Sequence, residues 1–143
     1  MIFVIVILIA ALDQIIKLLI INNFPLGLPH PIIENIFNIT YVKNTGIAFG
    51  IFKGNNLIMI ILNIVIIAMI TALLYSMDFD NIFFKLSAGF IIGGALGNLI
   101  DRINRGFIVD YLDLSFWPTF NLADSMIVIG GIMLAIFLLI KME

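Results

Sequence analysis

"MIFVIVILIAALDQIIKLLII", residues 1–21, is interrupted by only three polar side chains, Asp13, Gln14 and Lys17. About 20 apolar residues in an α-helix cross the hydrocarbon core of a bilayer, so this stretch has the length and character of one span. A secretory signal peptide would begin with basic residues and end at a small-residue cleavage site. Here the apolar character continues past Asp13 to Ile21 without such a site, and the segment is expected to be a retained membrane helix. Charge inside a bilayer is costly and usually functional. Asp13 and Lys17 lie four apart and share a helix face, where each can neutralise the other. The pair can be a structural ion pair inside a bundle or the support of a site, and both readings stand.

The rest of the chain agrees with this beginning. Of 143 residues 63% are hydrophobic and 11% charged, and the mean hydropathy is +1.24, far from the usage of soluble domains. The chain is read as one integral membrane domain over residues 1–143, a mainly α protein. A net charge of -2 gives no reason to expect a nucleic-acid partner. The absence of cysteine excludes disulfides, thiolate metal sites and cysteine nucleophiles. The single histidine, His30, sits between two prolines and cannot build a metal site alone. No metal and no cofactor are expected.

Hydropathy predicts four transmembrane helices at about 2–21, 56–76, 83–102 and 121–140. Both termini then lie on one side, and the two long connections, 22–55 and 103–120, share the other. Counting lysine and arginine would place the long loops in the cytoplasm, by Lys43, Lys53, Arg102 and Arg105 against Lys85 and Lys141. Within the first loop "FNITYV" alternates as a half-buried strand does, and "KNTG" followed by "IAFGIF" predicts a small β-hairpin over 36–52. Gly93 and Gly97 in the third span have the spacing that lets helices approach closely, and Gly130 and Gly131 in the fourth are read the same way.

The polar residues converge on one membrane face. "NLIDRINR", 98–105, places Asn98 and Arg102 together on a helix, with Asp101 one step round; as a plain structural feature this is an interfacial charge cluster with snorkelling arginines. Asn121 can cap the fourth helix with Asp124 in its first turn. Asp110 and Asp113 can be solvated loop acids. If two carboxylates meet, however, they cannot both ionise cheaply, and they share a proton as a coupled pair. That is what an aspartic peptidase needs: one carboxylate takes a proton from attacking water while its protonated partner polarises the carbonyl. These residues alone do not say which acids pair.

Five motifs in order carry a resemblance: "DQIIK" at 13–17, "NTGIAFG" at 44–50, "GALGNLIDR" at 94–102, "GFIVDY" at 106–111 and "FNLAD" at 120–124. Together they resemble the patterns of lipoprotein signal peptidase, the bacterial signal peptidase II family. The resemblance implies that Asp110 and Asp124 form the catalytic dyad and that Asp113 is a bystander. It implies that Asn44, Asn98, Arg102 and Asn121 line the site, and that Asp13, Lys17 and Asp101 support the architecture. It further implies an extracytoplasmic β-cradle at about 30–53 between helices 1 and 2, and a multi-pass protein of the bacterial plasma membrane, with cytoplasmic termini and the site on the outer face. The orientation from the resemblance overrules the lysine and arginine count. The substrate would be a prolipoprotein carrying a diacylglyceryl group, cut just before the lipidated cysteine by an enzyme that needs no metal and works among membrane lipids as a monomer. The chain departs from the family in lacking a short basic N-terminal extension and in the brevity of the loop after Asp110. A different class, a small proton-coupled transporter or channel using Asp13, Lys17 and Asp124, would require a polar stripe through the full depth of the bilayer.

Overall fold

The computed structural model describes residues 1–46, 55–76 and 81–141, with Tyr75 described by its backbone alone. Seven elements follow in order: α1 (Ile2–Asn23), β1 (His30–Ile33), β2 (Phe37–Asn44), α2 (Asn56–Ser76), α3 (Ile82–Arg105), β3 (Ile108–Leu114) and α4 (Leu122–Lys141). All four helices are long and apolar enough to cross a membrane. Outward-facing Phe3, Leu57, Met69 and Leu139 leave apolar surface that water would penalise and lipid does not.

The helix α3 is central, and small residues make it so. Gly89, Gly93 and Gly97 repeat every four residues and face Ile5, Ile9 and Asp13 of α1, which repeat at the same interval. A Cβ at Gly93 would stand 2.9 Å from the Ile9 Cβ, so the backbones approach as only glycine permits. On the other side Gly94 lies against Ala123 and Ile127 of α4, and Gly130 of α4 lies against Ser87 and Ile91. Gly131 does not pack as expected from sequence: nothing stands within 4 Å of where its Cβ would be. The ends of α3 are defined by local chemistry. Asn81 accepts hydrogen bonds from the Phe83 and Phe84 amides, and Gly106 terminates the helix at φ 76, with its N–H donating to Arg102 O.

The sheet corrects part of the sequence reading. It has three antiparallel strands in the order β1-β2-β3. The strand β2 is the predicted "FNITYV" run, but its hairpin partner is β1, joined through a turn with Asn35 at φ 62. The predicted return strand at 47–52 lies outside the described residues. The third strand, 108–114, comes from the second long connection, where no alternation of apolar and polar residues predicts one. A register shift between Ile39 and Val42 breaks the alternation of β2. It buries both Thr40 and Tyr41: Thr40 turns its hydroxyl to Asp113, while Tyr41 joins Ile20, Val109 and Tyr111 in a core that seats the sheet against the end of α1.

Candidate active site

The residue that closes the site is Phe120. Its backbone returns to β3, accepting hydrogen bonds from the Tyr111 and Leu112 amides at 3.0 and 2.8 Å and donating to Leu112 O at 3.1 Å. This bridge places the first turn of α4 beside β3, although Asp110 and Asp124 lie on separate elements. Asp110 is 1% exposed. Its Oδ2 accepts from Asn44 Nδ2 at 2.8 Å and its Oδ1 from Asn121 Nδ2 at 2.7 Å. Asp124 Oδ1 accepts from Asn98 Nδ2 at 2.7 Å, and Asn121 Nδ2 also donates to Asn98 Oδ1 at 3.2 Å. Two amides thus connect two carboxylates. Burial, and after it the charge of Asp124, pushes the Asp110 carboxyl up to about 7, against the opposing hydrogen bonds of Asn44 and Asn121.

The structural and site roles of Asn121 coexist in one side chain. Its Oδ1 accepts from the Asp124 amide at 2.9 Å while Asp124 Oδ2 accepts from the Asn121 amide at 3.2 Å, a reciprocal capping box. The amide nitrogen remains free to serve Asp110 and Asn98. An aspartate at 121 could cap but could not donate.

Behind this pair lies a buried ionic layer. Lys17 Nζ stands 2.7 Å from Asp13 Oδ2, 3.0 Å from Asp101 Oδ2 and 3.1 Å from Asn98 Oδ1, with Lys17, Asp13 and Asp101 all inaccessible to solvent. Each carboxylate also holds backbone from another element. Asp13 Oδ1 accepts from the Ala123 amide in the first turn of α4, and Asp101 Oδ2 accepts from the Val109 amide of β3. Asp101 further pairs with Arg105. The network therefore ties to α1 and α3 the two elements that carry Asp110 and Asp124. A buried charge is tolerated when paired and hydrogen-bonded in this way.

A cavity of about 440 Å³ opens in front, walled by α2, α3, the segment 117–120 and α4. Asn44, Asn98, Arg102 and Asp124 line it, whereas Asp110 and Asn121 lie just behind Asn44 and Asn98. Arg102 is 1% exposed. Its guanidinium donates to Gly46 O at 3.0 Å and contacts Asn56 Oδ1 at 3.4 Å, while its Nε has no partner among the described residues. Asp113 is turned away from the cavity, accepting from Thr40 Oγ1 at 2.5 Å and Asn38 Nδ2 at 3.4 Å. Among the described residues no three of His, Cys, Asp or Glu converge as metal ligands.

The family model described as Signal peptidase (SPase) II matches residues 5–140. The chain belongs to the signal peptidase II family. Proteins called "Lipoprotein signal peptidase" from Halothermothrix orenii and Clostridioides difficile are 44% and 43% identical to it, each over 138 residues; the alignments cover 96% and 94% of this chain and 94% and 92% of those proteins. A solved bacterial membrane enzyme, obtained by the in meso method at 2.3 Å resolution, superposes with a TM-score of 0.91 at 31% identity, covering 99% of this chain and 89% of that one. A second, at 1.9 Å resolution, gives 0.87 at 32% identity, covering 96% and 92%. The chain is therefore an aspartic protease of the multi-pass bacterial membrane class.

Of the nine residues singled out from the sequence, eight fall in the one network of amides and ions described above, and Arg102 stands beside it, lining the same cavity and bonded to Gly46 O and Asn56. Three contributors were not singled out. Gln14 donates to Gly97 O and Asp101 Oδ1 and accepts from Arg105. The Tyr111 hydroxyl accepts from the Leu122 amide. Asn56 donates to Arg102 O. Gln14 and Tyr111 stand inside the quoted motifs, whereas Asn56 has no signal beyond being polar at the start of a span.

Proposed function

We propose that Asp110 and Asp124 are the catalytic dyad with which this enzyme removes the signal peptide from prolipoproteins, cutting just before a cysteine that carries a diacylglyceryl group. The observation that carries this reading is the joining of two enclosed carboxylates by Asn98 and Asn121, with Asp110 held close to half-protonated at neutral pH. Between them the pair keeps one proton. The ionised carboxylate takes a proton from the attacking water, and the protonated one hydrogen-bonds to the scissile carbonyl oxygen, stabilising the charge that develops there. Because Asp110 reaches the cavity through Asn44, water entering the dyad displaces one hydrogen bond of that asparagine. Asn44, Asn98 and Asn121 orient the carboxylates, and Arg102 offers its Nε, unpartnered among the described residues, toward substrate backbone. Asp13, Lys17 and Asp101 hold the frame. The termini are cytoplasmic, the site faces outward, and the enzyme acts as a monomer among membrane lipids without a metal.

A transporter would need the polar groups to continue down the bundle. Instead, the buried Asn63 and Ser87 each donate to a carbonyl of their own helix, Met59 O and Phe84 O. The test is cleavage of a diacylglyceryl-modified prolipoprotein by purified enzyme in detergent. Asp110→Asn and Asp124→Asn should each lower the rate by a factor of at least about a thousand while the protein remains folded, as loss of a positioned acid or base does. Asp113→Asn and added chelator should leave cleavage within about threefold, because Asp113 faces Thr40 and Asn38 rather than the reacting groups and an asparagine there can still accept from both. Near-normal turnover in either dyad variant removes the assignment.

A further inference from the structure

A second cavity, also about 440 Å³, lies against the same segment. Trp117, Phe120 and Asp124 line both cavities. Ile127 of α4 faces the first; Ser125, Val128 and Ile129, on the adjoining helix face, line the second together with Leu114 and Phe116. The two spaces therefore meet at Asp124 on either side of an aromatic partition. Their chemistry differs. The first is furnished with Asn44, Asn98 and Arg102, whereas the second adds only Ser125 to the shared Asp124 and Trp117, and the Ser125 hydroxyl donates to Asn121 O. Among the residues lining the second cavity the only further side-chain polar group is the indole N–H of Trp117, which belongs to the partition shared with the first. Its outer margin is Val128 and Ile129, exposed on a helix apolar enough to span the bilayer, so it continues directly into the lipid-facing surface.

An occupant of this slot must be hydrocarbon along its length and end at the carboxylate that borders the polar cavity. A free membrane lipid satisfies the first condition, but its phosphate would have to lie against the Asp124 carboxylate with no cationic side chain lining the slot to receive it. A chain joined through glycerol to the reacting cysteine satisfies both. We propose that the slot bounded by Phe116, Trp117 and Val128 receives an acyl chain of the substrate's own diacylglyceryl group while the peptide occupies the first cavity. The aromatic partition then sorts the two parts of one substrate, and the seated chain fixes which peptide bond meets Asp124. This inference rests on the peptidase reading above and adds the subsite to it.

The experiment compares two synthetic prolipopeptides that differ only in the diacylglyceryl esters, palmitoyl against acetyl, by kcat/KM in detergent. Burial of a hydrocarbon chain favours the palmitoyl peptide, expected by at least about tenfold in the wild type. Val128→Trp, which fills the slot, should cut that ratio by about tenfold, and Phe116→Ala, which removes a wall without adding bulk, should lower it in the same direction. Ile136→Trp, on the exposed surface of α4 beyond the slot, should leave the ratio as it is. Equal cutting of both peptides by the wild type, an unchanged ratio in both slot variants, or an equal fall in Ile136→Trp overturns the slot in favour of general lipid contact. A wild-type enzyme that cuts neither peptide overturns the peptidase reading, and the slot with it.

Discussion

Asp110 shows how one residue can serve reactivity at a cost to stability. Its side chain sits in a strand packed on both faces, and its carboxyl titrates about 7 against an ordinary 3.8 because burial and Asp124 disfavour the charge. Between these two values the folded protein holds a proton that the unfolded chain has released. By linkage, stability is fully present below about 4 and is lost as pH rises toward 7, by an amount on the order of a few kcal/mol. Asp110→Asn lacks this titration. Its melting temperature relative to the wild type should therefore climb between pH 5 and pH 8, whatever offset the altered bonds to Asn44 and Asn121 introduce. The same proton is required for catalysis, so wild-type kcat/KM should decline above about pH 7. Parallel melting curves across that window, or an activity flat into the alkaline range, would show that Asp110 carries no such proton.

At the scale of elements, α3 is the part on which the others are hung, and its glycines decide how closely. A Cβ at Gly97 would come within 2.6 Å of Asp13 Oδ2, an oxygen already held by Lys17 at 2.7 Å, and within 3.4 Å of the Ala123 Cβ. Gly97→Ala should therefore push on the contact that anchors the start of α4 and destabilise the protein by about 1–3 kcal/mol. Gly131→Ala, with open space at its Cβ, should cost nothing measurable. A melting temperature in detergent for each variant separates the two, and equal effects would mean that α1 and α4 are not held through this row. The four helices were legible because lipid-facing sequence is apolar over a span's length, and β2 was legible from its alternation. The strand β3 was not, because Ile108, Val109, Asp110 and Tyr111 are all buried and a strand covered on both faces has no period of two. The nine candidate residues were named by the resemblance of the motifs. Their connection through Asn98 and Asn121 could not be read, because it depends on Phe120 folding back onto Leu112. Asn56 was invisible for a similar reason: its partner Arg102 is on another helix.

For the whole molecule the choice is one of orientation, and the side chains that the fold engages bear on it. The lysine and arginine count that favoured cytoplasmic long loops included Arg102 and Arg105. Arg102 is buried against Gly46 O and Asn56, and Arg105 is paired with Asp101 and bonded to Gln14. Two of the four charges are thus committed to the fold and say little about which side of the membrane retains them. Lys43, with its ammonium 4.9 Å from the centre of the Phe107 ring, is also partly engaged. With the count reduced in this way, the outward-facing site of the proposed function meets less electrostatic opposition than the sequence alone suggests. Ser115 provides the test, since it is exposed at the end of β3 on the same face as the site. The chain has no native cysteine to compete. Ser115→Cys in intact cells should react with a membrane-impermeant maleimide, and a cysteine placed at Lys141, at the far end of α4, should react only after lysis. The reverse pattern would put the cavity in the cytoplasm, where the proposed outward-facing cleavage of prolipoproteins could not take place.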